Sequence, residues 1–290
     1  MTNKKLYKNF CDNNTTIPLF LQPFWLDTIA EKWEVVLVSE NDKIKAALPF
    51  CVKGNLFTKR IYLPDVNFYQ TPVFAENITL NQKQKLTEEL FKQLPKTIKS
   101  YFKFPTNYNT LDLSKQGFKK ETYTTYTITN TIFFQLNKHH QRQIQKGIKS
   151  NYKIQKSKNV IVSYQLIADT FLRQKIQPKL SLKNLQQLHA LGLKNNCTQI
   201  LDCLDEKENT LATLLIGEDA ITVFYLFGGY NSSFKNSGAM TFLLYHAIQY
   251  SLEQQKEFNF CGSSKKSIAE YFEGFGTQPA IIPIWKKTLI

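Results

Sequence analysis

"ITVFYLFGGYNSSFKNSGAMTFLLYHAIQYSLEQQKEFNFCGS", residues 221–263, joins an apolar strand to a long helix and that helix to a second apolar strand. Nearly every side chain from Ile221 to Phe227 is apolar, the pattern of a strand covered on both faces. Met240, Leu243, Leu244, Ala247, Ile248 and Ser251 recur at the spacing of one helical face, which predicts a helix packed on the sheet. Gly228-Gly229 closes the first strand and predicts a bulge or a splayed edge. Ser237-Gly238-Ala239 stands at the helix start. Glycine there lets another molecule approach the backbone, and the free N–H groups attract anions. The stretch reads either as a cofactor seat or as an ordinary strand–loop–helix unit with a permissive turn.

The same alternation extends outward. Before the stretch, Ile161–Ile176 and Leu182–Gly192 read as helices. From Gln199 three strands follow, with turns at Glu206–Asn209 and Glu218-Asp219. After it come a short helix, "KKSIAEYFEGFG", and a last strand, "AIIPIWKK". The N-terminal half opens with a predicted helix over Pro18–Ala30, then a hairpin, "WEVVLV" and "IKAALPFCV", turning at Asn41-Asp42. A helix over Leu80–Leu94 and a strand over Tyr123–Leu136 complete it. Helices mixed with mostly antiparallel strands predict an α+β chain with a mixed sheet.

At 290 residues and 42% apolar content, the chain can build one large core or two average ones. The net charge of +14 favours anionic partners, such as phosphates, nucleotides or RNA; a basic solvated surface is the plainer alternative. The five cysteines are scattered, with no CxxC and no Cys/His zinc spacing, so reduced thiols, a cytoplasmic setting and no metal are expected. The opening residues lack the apolar core of a signal peptide, and no segment approaches the roughly 20 apolar residues of a membrane span.

Between Lys138 and Lys158 there are seven basic residues and no acid. Lys138, Arg142, Lys146, Lys149 and Lys153 form a stripe on one helical face, with Asn137 as N-cap and Ile144 and Ile148 nearly opposite. The stripe either binds phosphates or is a solvated face. This change of character divides the chain at 1–137 and 138–290, with the last strand free to cross back. His139 and His140 are expected to face solvent or an anion, and His246 to be a satisfied core histidine.

Taken together, "FLQPFWLDTIA", "WEVVLV", "IKAALPFCVKG", "FYQTPVF", the basic segment and "FNFCGS…IAEYFEGFG" resemble, in order and spacing, the Fem-type aminoacyltransferases of the GNAT superfamily. The resemblance implies two tandem GNAT-like domains, each a mixed, mostly antiparallel sheet flanked by helices. It also implies N-acyl transfer from acyl-CoA or aminoacyl-tRNA to an amine on a small or nucleotide-linked, anionic acceptor, with tRNA as a partner. The phosphate loop of that superfamily, Gln/Arg-x-x-Gly-x-Gly/Ala, is matched by Lys235, Asn236, Ser237, Gly238 and Ala239, while Met240 departs from it. Tyr69 and Gln70 correspond to the acceptor-site loop, and Lys138, Arg142 and Lys146 to a phosphate channel. Acyl transfer needs a polarised carbonyl, a deprotonated amine and a protonated leaving group. Phe227 or Gly228 would supply the polarising N–H. Tyr271 is the candidate acid, although Phe272 holds the register at which the superfamily has its tyrosine. Asp202, a carboxylate on an apolar strand, is the candidate base. The competing reading of Tyr271 is a packing tyrosine, and that of Asp202 is an outward-facing aspartate on a half-exposed strand. With no clear acid–base pair, the alternative is a non-catalytic anion- or nucleic-acid-binding protein on a degenerate acyltransferase scaffold.

Overall fold

The computed structural model describes residues 2–55, 57–129, 135–263 and 265–289. Two compact units result, one of residues 1–123 with 281–290, the other of residues 124–280. The last strand starts in the second unit and ends in the first.

In the first unit the elements are α1 (Asn3–Asp12), α2 (Pro23–Ile29), β1 (Trp33–Glu40), β2 (Lys43–Lys53), β3 (Arg60–Tyr62), β4 (Val73–Phe74), α3 (Leu80–Lys92) and β5 (Lys99–Lys103). β6 (Lys119–Ile128) begins in this unit, and β12 (Gln278–Thr288) returns to it. The strands run in the order β1-β2-β3-β5-β12, antiparallel except for β3 with β5, and β4 adds to β2. The β1–β2 hairpin turns where the sequence predicts, because Asn41 and Asp42 both adopt positive φ, as a two-residue turn requires. α3 is closed by a Thr79–Gln82 capping box. Phe50, Phe102, Phe104 and Trp285 fill the core under α3. Tyr7 and Cys11 fix α1 to a second cluster with Trp33 and Leu26.

The second unit contains α4 (Lys138–Lys149), β7 (Lys153–Lys156), α5 (Val160–Arg173), α6 (Leu182–Asn195), β8 (Thr198–Leu204), β9 (Thr210–Glu218), β10 (Thr222–Tyr230), α7 (Ala239–Glu253), β11 (Glu257–Asn259) and α8 (Lys266–Glu273). Its strands run β6-β11-β10-β9-β8-β7, and β10 with β11 is the parallel pair. β7 forms an edge, with Lys153 and Lys156 exposed at its ends. Leu243, Leu244, Ala247 and Ile248 of α7 are buried against β9, β10 and Phe258, as their spacing predicts. The strand expected over Tyr123–Leu136 starts earlier and ends at Ile128, and residues 130–134 lie outside the described residues. All five cysteines are free, and among the described residues no helix is long and apolar enough to cross a membrane.

The two faces of this sheet carry different helices. A Cβ on Gly228 would lie 2.6 Å from the Met240 methyl of α7, and one on Gly229 would lie 2.2 Å from the Leu166 carbonyl oxygen of α5. Successive strand residues point to opposite faces, so α7 and α5 cover opposite sides of β10.

Candidate active site

β10 and β11 run in parallel only from Thr222–Phe224 against Glu257–Asn259. Beyond that, β10 holds its register with β9 through Tyr225, skips Leu226, and resumes with Phe227 and Gly228 opposite Leu215 and Leu214. The bulge therefore falls at Leu226, not at the glycine pair. Gly228 and Gly229 are there for close packing: the notch at Gly228 holds the Met240 methyl and the Tyr225 hydroxyl, and the one at Gly229 holds the backbone of α5. After β11 the chain turns sharply, with Cys261 and Gly262 both at positive φ.

α7 begins after the loop that follows β10. Gly238 is its N-cap at φ +78°, a conformation that favours glycine. A Cβ here would lie 2.6 Å from Gln143 Oε1 and 2.8 Å from the Gln143 carbonyl oxygen of α4. Lys146 Nζ donates to the Asn236 carbonyl at 2.6 Å, and the Tyr152 hydroxyl to the Ser237 carbonyl at 3.2 Å. The Ala239 N–H donates to Ser237 Oγ, while Lys235 stays exposed. The loop that the sequence offers as a phosphate seat is thus held by α4, and neither glycine leaves an open cradle.

The Tyr271 hydroxyl of α8 meets Thr241 Oγ1 of α7 at 3.0 Å. Burial raises the phenol pKa, and that of Tyr225 beside it, so both stay protonated at neutral pH. Phe272, one position on, packs into the core against Phe260, with ring centroids 4.5 Å apart. The two side chains have divided the roles: Phe272 packs, and Tyr271 keeps a hydroxyl toward the helix that starts at Gly238.

No family model matches the sequence. The structure is similar to that of FemX, with a TM-score of 0.69 at 10% identity, covering 98% of this chain and 96% of that one. It is also similar to L-PGS from Bacillus licheniformis, with a TM-score of 0.61 at 13% identity over 98% and 91% of the two chains. A third likeness is to a tandem GNAT protein from the clavulanic acid biosynthesis pathway, at 0.53 and 9% identity over 98% and 93%. The chain has a Fem-type, GNAT-like fold.

Within this GNAT-like fold the remaining candidates separate. Asp202 does not face outward: it is 4% exposed on β8, accepting from Thr213 Oγ1 at 2.7 Å and Ser163 Oγ at 3.3 Å. Burial raises its carboxyl pKa, and the Ser157, Thr213 and Ser163 hydroxyls pull it partly back. Asp202 pairs with Thr213, and Thr213 with Gly229, so it lies in the row under α5, on the face opposite Tyr271. Tyr69 and Gln70 are buried in the first unit. Gln70 Oε1 accepts from the Cys51 N–H at 2.8 Å and its Nε2 donates to the Tyr101 carbonyl at 2.9 Å, bracing β2 to β5, while Tyr69 packs on Phe68 and Phe20.

Lys138, Arg142 and Lys146 do form an exposed crest, opposite the buried His140, Ile144 and Gly147. Two expectations on α4 fail: Ile148 is exposed, and His140 is buried. The His140 ring lies 4.3 Å from that of Phe275 and 4.9 Å from that of Tyr271, with Nδ1 2.9 Å from Asn137 Oδ1. Burial, helped by His139, lowers its pKa to about 4. His246 is exposed, resting on the Phe242 ring, because its position falls outside the buried stripe of α7. Among the described residues no group of three or more His, Cys, Asp or Glu is placed to hold a metal.

Proposed function

We propose that the chain is an acyltransferase that moves an acyl or aminoacyl group from an activated carrier to an amine. The observation that carries this reading is the bulge at Leu226, where β10 runs on past the end of β11, next to Tyr225, which lies beside Tyr271 and its partner Thr241. A backbone N–H at such a bulge polarises the donor carbonyl. The amine nitrogen bonds to the carbonyl carbon and the bond to the carrier breaks. The carrier oxygen takes a proton from Tyr271, and the amine gives its surplus proton to solvent. Solvent returns a proton to Tyr271 by way of the Thr241 hydroxyl, which passes on its own proton as it accepts the new one. Its raised pKa suits a group that must reach the leaving oxygen still protonated.

For the donor, aminoacyl-tRNA is favoured over acyl-CoA. The filled notches at Gly228 and Gly238 leave a pantetheine arm and pyrophosphate little to bind, whereas the crest of Lys138, Arg142 and Lys146 suits the phosphates of an RNA carrier. The test is transfer from labelled aminoacyl-tRNA and from acetyl-CoA to a panel of amines. Tyr271→Phe should lower kcat about 100-fold with little change in KM. Equal rates in the variant would remove Tyr271 from proton transfer. The alternative, a non-catalytic anion- or nucleic-acid-binding protein, is favoured by the same filled notches, and no transfer from either donor would select it.

A further inference from the structure

We propose that Arg173 and Lys265 form a subsite for an acid group, a carboxylate or a phosphate, carried by the acceptor amine. This rests on the acyltransferase reading and adds to it the chemical class of the acceptor.

Both cations stand at the C-terminal end of the β10–β11 pair. Arg173, the last residue of α5, lays its guanidinium over the Tyr230 ring at 4.3 Å and donates to the Tyr230 carbonyl at 3.1 Å and Thr170 Oγ1 at 2.7 Å. Lys265, which follows β11 and is the N-cap of α8, reaches back to Gln174 Oε1 at 2.7 Å. Since Gln174 is the neighbour of Arg173, the two charges converge from separate elements on the same mouth.

What holds them is uniformly neutral: a carbonyl, a hydroxyl and an amide. Neither cation has a carboxylate partner among the described residues, in contrast to Lys256, paired with Glu218 at 2.9 Å in the same unit. Lys265 is only half-buried yet sits at the positive end of a helix whose first turn holds no acid and begins with a second lysine, Lys266. Positive charge at a helix N-terminus is unfavourable. A structural lysine would not be expected there, and breaches of local preference of this kind concentrate at functional sites. Neutral partners aim the two cations without cancelling them, so an oxyanion entering the mouth gains two charge-assisted hydrogen-bond donors, one with the planar geometry that suits carboxylate or phosphate. An acceptor anchored there would extend its amine from the mouth toward Leu226.

The test reads binding, not turnover. Amide shifts of the labelled full chain are followed on titration with inorganic phosphate and, separately, with acetate. The expected result is saturable shifts at Gly229–Asn231, Ser263 and Lys265–Lys266 with at least one probe; the probe that binds tighter names the acid group. Arg173→Gln with Lys265→Gln should weaken that binding about tenfold or more. Lys183→Gln with Lys194→Gln, which removes equal charge from exposed α6, should not change it. Because Arg173 and Lys265 also tether the chain, Gln174→Ala is the companion variant: it frees Lys265 without removing charge, and binding should persist or tighten. Shifts that do not saturate, or that weaken equally in both double variants, would overturn the subsite. A chain that binds the anion but transfers nothing would sink the acyltransferase reading alone, and one that transfers without binding would sink this one alone.

Discussion

Under α5, the second unit buries Asp202 among three hydroxyl groups; on the opposite face, where α4, α7 and α8 lie, it buries His140 among aromatic rings. Each is penalised for carrying charge, but the pH consequences run in opposite directions. A raised carboxyl pKa adds stability below the unfolded value and loses it as pH rises through the folded one. A lowered imidazole pKa adds stability above the unfolded value and loses it as pH falls through the folded one. The two strand glycines differ as well: Gly229 on the hydroxyl face abuts backbone, whereas Gly228 on the other face abuts the tips of Met240 and Tyr225. A side-chain tip can yield where a backbone carbonyl cannot.

The largest effect expected from this contrast is that of Gly229→Ala. Its methyl would enter the space of the Leu166 carbonyl, which cannot yield without shifting α5, so a loss of about 3 kcal/mol is expected in denaturant unfolding. A loss below about 1 kcal/mol would show that α5 is free to move, and the contrast between faces would fail. Next is Asp202→Ala, which removes the acceptor that the Thr213 and Ser163 hydroxyls share and should cost about 2 kcal/mol. Asp202→Asn keeps a polar partner for them, and its stability relative to wild type should rise as pH increases above the ordinary carboxyl value of 3.8. A wild-type chain that instead gains on Asn over that range would mean that the hydroxyls outweigh burial.

On the other face, wild-type stability should fall as pH drops from 6.5 toward about 4, and His140→Phe should flatten that slope. Urea midpoints at several pH values measure it, and an unchanged slope would assign the loss to other groups. The smallest effect is expected for Gly228→Ala. The Met240 methyl can swing away, so the cost should be near 1 kcal/mol, with any activity change exceeding the stability change. Equal losses at Gly228 and Gly229 would erase the distinction.

What the sequence revealed was whatever depends on neighbours along the chain. The Asn41-Asp42 turn, the Asn137 cap and the buried stripe of α7 each follow from a few consecutive residues. So does the order of elements from β8 to α8, and with it the GNAT-like fold. What it hid depends on residues brought together from afar. The shelter of Asp202 comes from Ser157, Ser163 and Thr213, on three different segments. His140 is buried because α8 and Phe275 cover it, and nothing within α4 announces that. The bulge at Leu226 reflects how β10 slips against β9 just past the end of its pairing with β11, whereas the glycines that suggested a bulge answer to helix packing. α1 was missed because its buried face is only Tyr7 and Cys11, too sparse for a periodic signal.

Basic residues on β7 carry one more consequence. An edge strand turns a row of unpaired N–H and C=O groups outward, ready to pair with another copy. On β7 that row is flanked by Lys153 and Lys156, both exposed. A second molecule approaching to extend the sheet would press its own lysines against these and bury them, which opposes the contact before any backbone bond forms. Exposed lysines at both ends of an edge strand thus oppose extension of the sheet from one copy to the next.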